Sequence, residues 1–306
     1  MESLPNIFLQ QISQEIFPGN CPPEVQSHLL KERFHQDNYR LKHTEIGKNL
    51  SQTLKGDCES GINQFLKEVI KKLYRTYEDE LTQDDITIEM LGLCDNNRHG
   101  RKKDKQQSPW QVLYKWLWQS KYPRWQQDYL WDEWKNKAKV NSSWIQFSNY
   151  SSDYTCKGHV VPKPAAKPSI PVNTPLNLEI ALDTPGSYLY LFNRGEDTQG
   201  NTTKYVISPS QAFAPNCRLM EKITLMPQQG AMCEDVGIQF DALGKEEYLG
   251  IVVDEPLDLP ELTPDPINPA LEWQGEHLER VWEKLRNKNW QVFYRDFEVV
   301  SSEEAA

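Results

Sequence analysis

Apolar residues recur along this chain with two periods, three to four in its first half and two in its second. The clearest helical pattern covers residues 62–77. There Ile62, Phe65, Leu66, Val69, Ile70, Leu73, Tyr74 and Tyr77 share one face, and Ser60 is placed to cap the N-terminus through its hydroxyl. Shorter amphipathic helices are predicted over residues 4–17, ended by Pro18 and Gly19, and over residues 24–33, with Val25, Leu29, Leu30 and Phe34 inward. Another is predicted over residues 84–93. Ser108 followed by Pro109 opens a further helix as N-cap and first helical residue, and Tyr122 with Pro123 opens the next.

From about residue 174 the pattern changes. Leu176, Leu178, Ile180 and Leu182 alternate with Asn177, Glu179, Ala181 and Asp183, as in a half-buried strand. Residues 188–192 and 203–207 make a second and a third strand, joined by a hairpin turn over 197–201. Residues 223–225 and 248–253 complete the set, and several short strands separated by turn residues predict a β-sandwich or open barrel. Residues 276–286 read as a helix, and 290–300 as a last strand expected at an edge of the sandwich or beside it.

The segments GSYLYLFN at 186–193, ISPS at 207–210, LMP at 225–227 and GKEEYLGIVV at 244–253 carry a resemblance. In this order they resemble a bacterial β-sandwich family of unknown function. Its members are often found at the end of caspase-like peptidases, protein kinases and other signalling or defence proteins. The resemblance covers about residues 174–260. It implies a sensory or interaction module and offers no catalytic residues to carry over.

Five prolines between residues 162 and 175 favour extended, semi-rigid chain and mark the expected boundary. The expected organisation is multidomain α and β. An all-α bundle spans residues 1–150, a Pro-rich linker 151–175, an antiparallel β-sandwich with one added helix 176–300, and a loose tail 301–306.

Charge divides at the same place. Residues 1–150 hold 21 Lys and Arg against 20 Asp and Glu, whereas residues 151–306 hold 13 against 24. An acidic second half disfavours nucleic acid or an anionic membrane as its partner. The start of the chain has neither a basic n-region nor an apolar h-region, and the six cysteines form no CxxC pair. A reduced, cytoplasmic setting with unpaired thiols, and no membrane association, is the expectation.

Candidate chemistry is sparse. Thr44, Glu45, Ile46, Gly47 and Leu50 match the first helix of a helix-turn-helix spanning 43–74, with Gly47 admitting the second helix; a plain α-bundle is the simpler reading. Arg98, Arg101, Lys102, Lys103 and Lys105 form the concentrated basic run. They suit phosphate contacts, although a solvated loop is the plainer account. Seven of the 10 tryptophans lie between residues 110 and 144, more than two short helices need for a core. Trp110, Trp118, Trp125, Trp131 and Trp134 are therefore candidates for a partner surface. Arg194, Asp197, Asn201, Asn216 and Arg218 sit where recognition loops are expected.

Cys156 and His159 lack a second ligand pair, so no metal is assigned, and no cofactor fingerprint occurs. There is no GxSxG, HExxH or Walker loop, and the acidic residues 78–80 and 84–85 fit helix ends. The function expected is a non-catalytic adaptor or sensor with a protein partner. A DNA-binding regulator and an enzyme with an unrecognised site are the alternatives.

Overall fold

A computed structural model describes residues 3–19, 23–94, 107–139, 143–150, 169–285 and 288–301. The chain is mixed α/β, with helices in the N-terminal half and sheets in the C-terminal half. It forms two compact units, Met1–Gln126 and Gln127–Ala306.

The first unit contains α1 (Leu4–Ile16), α2 (Glu24–Phe34), α3 (His43–Leu54), α4 (Ile62–Thr76), α5 (Glu78–Gln83), α6 (Pro109–Trp116) and the start of α7 (Tyr122–Lys137). Their apolar faces share one core. Phe8, Leu9, Ile12 and Ile16 of α1 belong to it, with Leu29, Leu30 and Phe34 of α2, and Leu66, Val69, Ile70 and Leu73 of α4. The three-four spacing read along residues 62–77 is what turns these α4 side chains to one side. Ser60 does not cap α4. Its hydroxyl donates to Asp57 at 2.8 Å, and Gly61 occupies the cap position.

Two expectations fail here for backbone reasons. Residues 84–93 form turns instead of a helix. Asp85 and Gly92 take positive φ of 59° and 62°, which a right-handed helix cannot contain, yet Ile86 and Leu91 still reach the core. Asp85 accordingly lies just past the C-terminus of α5, not at a helix start. The helices opened by Ser108 and Tyr122 are joined by a π-helical turn at Leu117–Lys121 instead of a break. Pro123 has no N–H for the Gln119 carbonyl and would clash with it in a regular helix; a widened turn relieves both.

The second unit has two sheets, built from β1 (Ile145–Asn149), β2 (Ser169–Pro171), β3 (Leu176–Ala181), β4 (Tyr188–Glu196), β5 (Thr202–Ser208), β6 (Ile223–Met226), β7 (Gly244–Val253) and β8 (Trp290–Val300), with α8 at Gly275–Leu285. One runs β1-β3-β6 and the other β2-β8-β7-β4-β5. All pairs are antiparallel except β2 with β8, so the larger sheet is mixed, not purely antiparallel as expected. The last strand is interior, with β2 on one side and β7 on the other. Residues 169–171, assigned to the linker, supply that outer strand, while residues 151–168 lie outside the described set.

Inward side chains of both sheets meet in one core, including Leu178 and Ile180 of β3, Leu189 and Leu191 of β4, Tyr248 and Val252 of β7, and Phe293 and Phe297 of β8. Trp144 and Ile145 belong to it as well. Gly250 explains how the indole fits: a Cβ there would come within 2.8 Å of the Trp144 ring. On the other face of the larger sheet, Tyr190, Phe192, Leu249, Ile251 and Val253 are also buried. Aromatic residues cover this face. Trp131 of α7 stacks on Trp273 at 5.1 Å, and Trp134 packs on Trp282 of α8 and Trp290 of β8.

These contacts move the boundary. The second unit begins inside α7 at Gln127 and includes β1, whereas residues up to 150 were expected in the helical domain. Trp131 and Trp134 of α7 cover one face of the larger sheet and Trp144 fills the core on its other face, and their sequence position before the prolines conceals this.

Candidate functional site

The densest group of perturbed ionisable side chains lies where β4, β7 and β8 end together near the β4–β5 hairpin. The register sets Arg194 opposite Glu247 and Asn193 opposite Tyr248. Since side chains alternate along a strand, Glu246 and Glu247 of β7 point to opposite faces of the sheet.

Glu247 faces α7. Tyr294 donates its hydroxyl to the Glu247 carboxylate, and Lys245 and Lys135 reach the same oxygen at 2.9 Å and 3.2 Å. Burial alone would raise its pKa, but the three donors outweigh it and bring the carboxyl down to about 2. Burial and the neighbouring carboxylate push the Tyr294 phenol up. Lys245 also pairs with Asp296 at 3.2 Å, and Arg194 pairs with Asp128 of α7 at 2.9 Å.

Glu246 faces the core between the sheets. It is 6% exposed and accepts a 2.7 Å hydrogen bond from Asn193 Nδ2. Its carboxyl lies against the Cα of Gly195, where any Cβ would overlap it. Burial pushes it up to about 7, against the Asn193 bond, and the charges of Asp241, Glu196 and Glu247 add to the rise. A raised and a lowered carboxyl side by side are the usual makings of an acid and base pair. Here they face different sides of one strand and cannot act on a common bond.

The expected recognition residues fall into two places. Arg194 is on β4, tied to Asp128, not on a loop. Asp197 and Asn201 make the hairpin turn, with the Asp197 carboxylate accepting from the Gln199 N–H and the Asn201 N–H at 2.8 Å and from Asn201 Nδ2 at 2.9 Å. Asn216 and Arg218 lie by the opposite end of β4, where Arg218 bridges Tyr188. Gln228 holds that loop by accepting from the Asn216 N–H at 3.1 Å and donating to its carbonyl at 2.9 Å. Tyr188 and Glu196 are eight residues apart on one strand, roughly 26 Å at the usual rise, so the five residues do not form one surface.

Trp118, Trp131 and Trp134 are interior, which corrects their assignment to a partner surface, whereas Trp110 and Trp125 are half-buried. Trp118 is buried and donates to the Phe34 carbonyl at 2.8 Å, while Trp125 donates to Gln11 at 2.8 Å. Trp131 and Trp134 are buried in the second unit. Trp110 covers Arg33, whose guanidinium lies 3.7 Å from its ring centre. That buried cation donates to the carbonyls of Leu41, Asn38 and Tyr39, closing the chain between α2 and α3, and burial lowers it to about 10.

Within the segment read as a helix-turn-helix, α3 and α4 form. Gly47, however, makes room for the backbone of Glu59, with a Cβ falling 3.0 Å from its Cα, and not for α4. Arg98, Arg101, Lys102, Lys103 and Lys105 lie outside the described residues.

Sequence reasoning missed Glu246, Glu247, Lys135, Asp128 and Tyr294. The available signal was two acidic residues entering an otherwise apolar strand. Among the described residues, no three His, Cys, Asp or Glu side chains are arranged to hold a metal ion, and no helix is long and apolar enough to cross a membrane. No protein-family model, curated protein or solved structure matches the chain.

Proposed function

We propose that this chain is a non-catalytic adaptor or sensor of a bacterial signalling or defence system. In this reading the second unit is a β-sandwich that recognises a protein partner, and the first is a helical bundle that docks another component. The observation that carries it is the Asp197–Asn201 turn. Thr198, Gln199, Gly200 and Asn201 are exposed, yet the Asp197 carboxylate holds the turn by three hydrogen bonds. An exposed turn already fixed in shape loses little conformational freedom on binding, which favours recognition. The charged pairs beneath it, Arg194 with Asp128 and Glu247 with Lys135, fix the strands that present it. The resemblance read from the sequence over residues 174–260, which no family model matches, is to a family appended to signalling proteins and would fit the same reading.

The test is co-purification from the source cells with the intact protein and with Asp197→Ala. The variant should fold and melt like the parent while losing the proteins that the parent retains. Retention of the same proteins by both would remove the turn from the recognition surface.

A further inference from the structure

Among the described residues Glu246 is the only acidic side chain that is buried. Its surroundings offer little to balance a negative charge. From β4 it meets Asn193 and Gly195, and the charges of Glu196 and, from the segment before β7, of Asp241 act against its own. Its own strand adds the buried Tyr248 phenol on the same face, while Glu247 and its partner Lys245 lie on the opposite one. From β8 the residue in register is Phe297, and the Arg295 guanidinium lying 4.9 Å from that ring donates to the Ile145 carbonyl. From β5, Tyr205 is in register with Asn193. None of the ion pairs among the described residues includes Glu246.

The fit around the carboxyl is close. Gly195 is the residue that allows β4 to lie on it, and Asn193 supplies its hydrogen bond. Both sit on β4 just before the Asp197–Asn201 turn, so whatever displaces Glu246 acts on the strand that presents the turn.

We propose that Glu246 is a proton-operated latch for this end of the sheet. Protonated, it seats β4 on β7 through Asn193 and Gly195; deprotonated, its charge, buried with no cation paired to it and under the repulsion of the nearby carboxylates, is drawn to water and loosens the β4–β5 hairpin and the Asp241 segment. Burial raises the folded pKa from 4.5 to about 7. The closed form therefore holds the proton more tightly than the open form does. Closure is favoured below the ordinary glutamate value and is lost progressively as pH rises through neutrality. Any effect on partner binding rests on the recognition reading; the latch itself does not, and it is tested on the protein alone.

The experiment is amide hydrogen exchange along β4 and β5, corrected for the intrinsic effect of pH on exchange. With pKa values of about 4.5 open and 7 closed, the local opening constant should rise about tenfold from about pH 6 to about pH 8.5. In Glu246→Gln, which keeps the shape and can still accept from Asn193, it should stay flat. Asp241→Asn, at an exposed position, keeps Glu246 in place and should move the midpoint to lower pH by removing one nearby charge. That variant decides the matter should Glu246→Gln fail to fold. The same pH dependence with and without the carboxyl, or an unmoved midpoint in Asp241→Asn, overturns the latch. Neither result bears on whether the turn binds a partner.

Discussion

Replacing Phe192 with alanine separates a structural from a recognition role for the aromatic strand. Phe192 is fully buried on the face of β4 that carries Trp273, edge-on to that indole with ring centres 6.4 Å apart. A buried phenylalanine removes on the order of 150 Å² from water. At about 25 cal/mol per Å², the atoms beyond Cβ are worth about 3 kcal/mol. A cavity remains, because the strand is paired on both sides and Trp273 is stacked on Trp131, so the neighbours have little room to collapse. The expected cost is about 3–5 kcal/mol. With a urea slope of about 2.5 kcal/mol/M, the midpoint of the second unit's transition falls by roughly 1–2 M. Urea titrations followed by circular dichroism and tryptophan fluorescence would measure it beside Asp197→Ala, which should leave the midpoint nearly unchanged. A neutral Phe192→Ala that abolishes partner binding would make the strand a contact surface and refute its assignment to the core.

The unit boundary predicts how fragments behave: residues 127–306 should fold with β-sheet circular dichroism, whereas a fragment starting at 172 should aggregate, since it lacks Trp131, Trp134, Trp144 and β1. Acid stability should depend on Glu247. Its folded pKa is depressed from 4.5 to about 2, so its contribution is present above the unfolded value and lost as pH falls through about 2. For a side chain 14% exposed, the shift is worth up to about 3 kcal/mol, and Glu247→Gln should flatten that part of an acid titration. A slope equal to the parent's would contradict the network. Gly250→Ala should cost about 1–3 kcal/mol by forcing a methyl group against the Trp144 ring, read as a lower denaturation midpoint.

Regular patterns were legible in the sequence where one local rule sufficed. Period-two alternation placed β3, and its Leu176, Leu178 and Ile180 are buried as that pattern requires. The three-four spacing placed α4, and the Asp197 to Asn201 hairpin joins β4 and β5 as its turn residues imply. What stayed hidden depends on contacts between distant residues. Trp131 and Trp144 precede the prolines yet pack with Trp273 and Phe293, from the far end of the chain. Nothing in a local window of residues 290–300 tells an interior strand from an edge one, because its outer neighbour is only three residues long. The candidate site was concealed for the same reason. Glu246 and Glu247 read as one acidic pair until the strand's neighbours assign one to a network of donors and the other to a buried place where, among the described residues, no ion pair includes it.

Site-specific photo-crosslinking in the source cells tests the account most directly. A photoreactive residue at exposed Gln199, in the Asp197–Asn201 turn, is compared with one at Ile267, which is 93% exposed in the same unit. The account predicts a discrete protein adduct from position 199 that disappears when Asp197→Ala is added, and none from position 267. The same adducts from both positions, or an adduct at 199 that survives loss of the Asp197 carboxylate, would contradict recognition through the preformed turn.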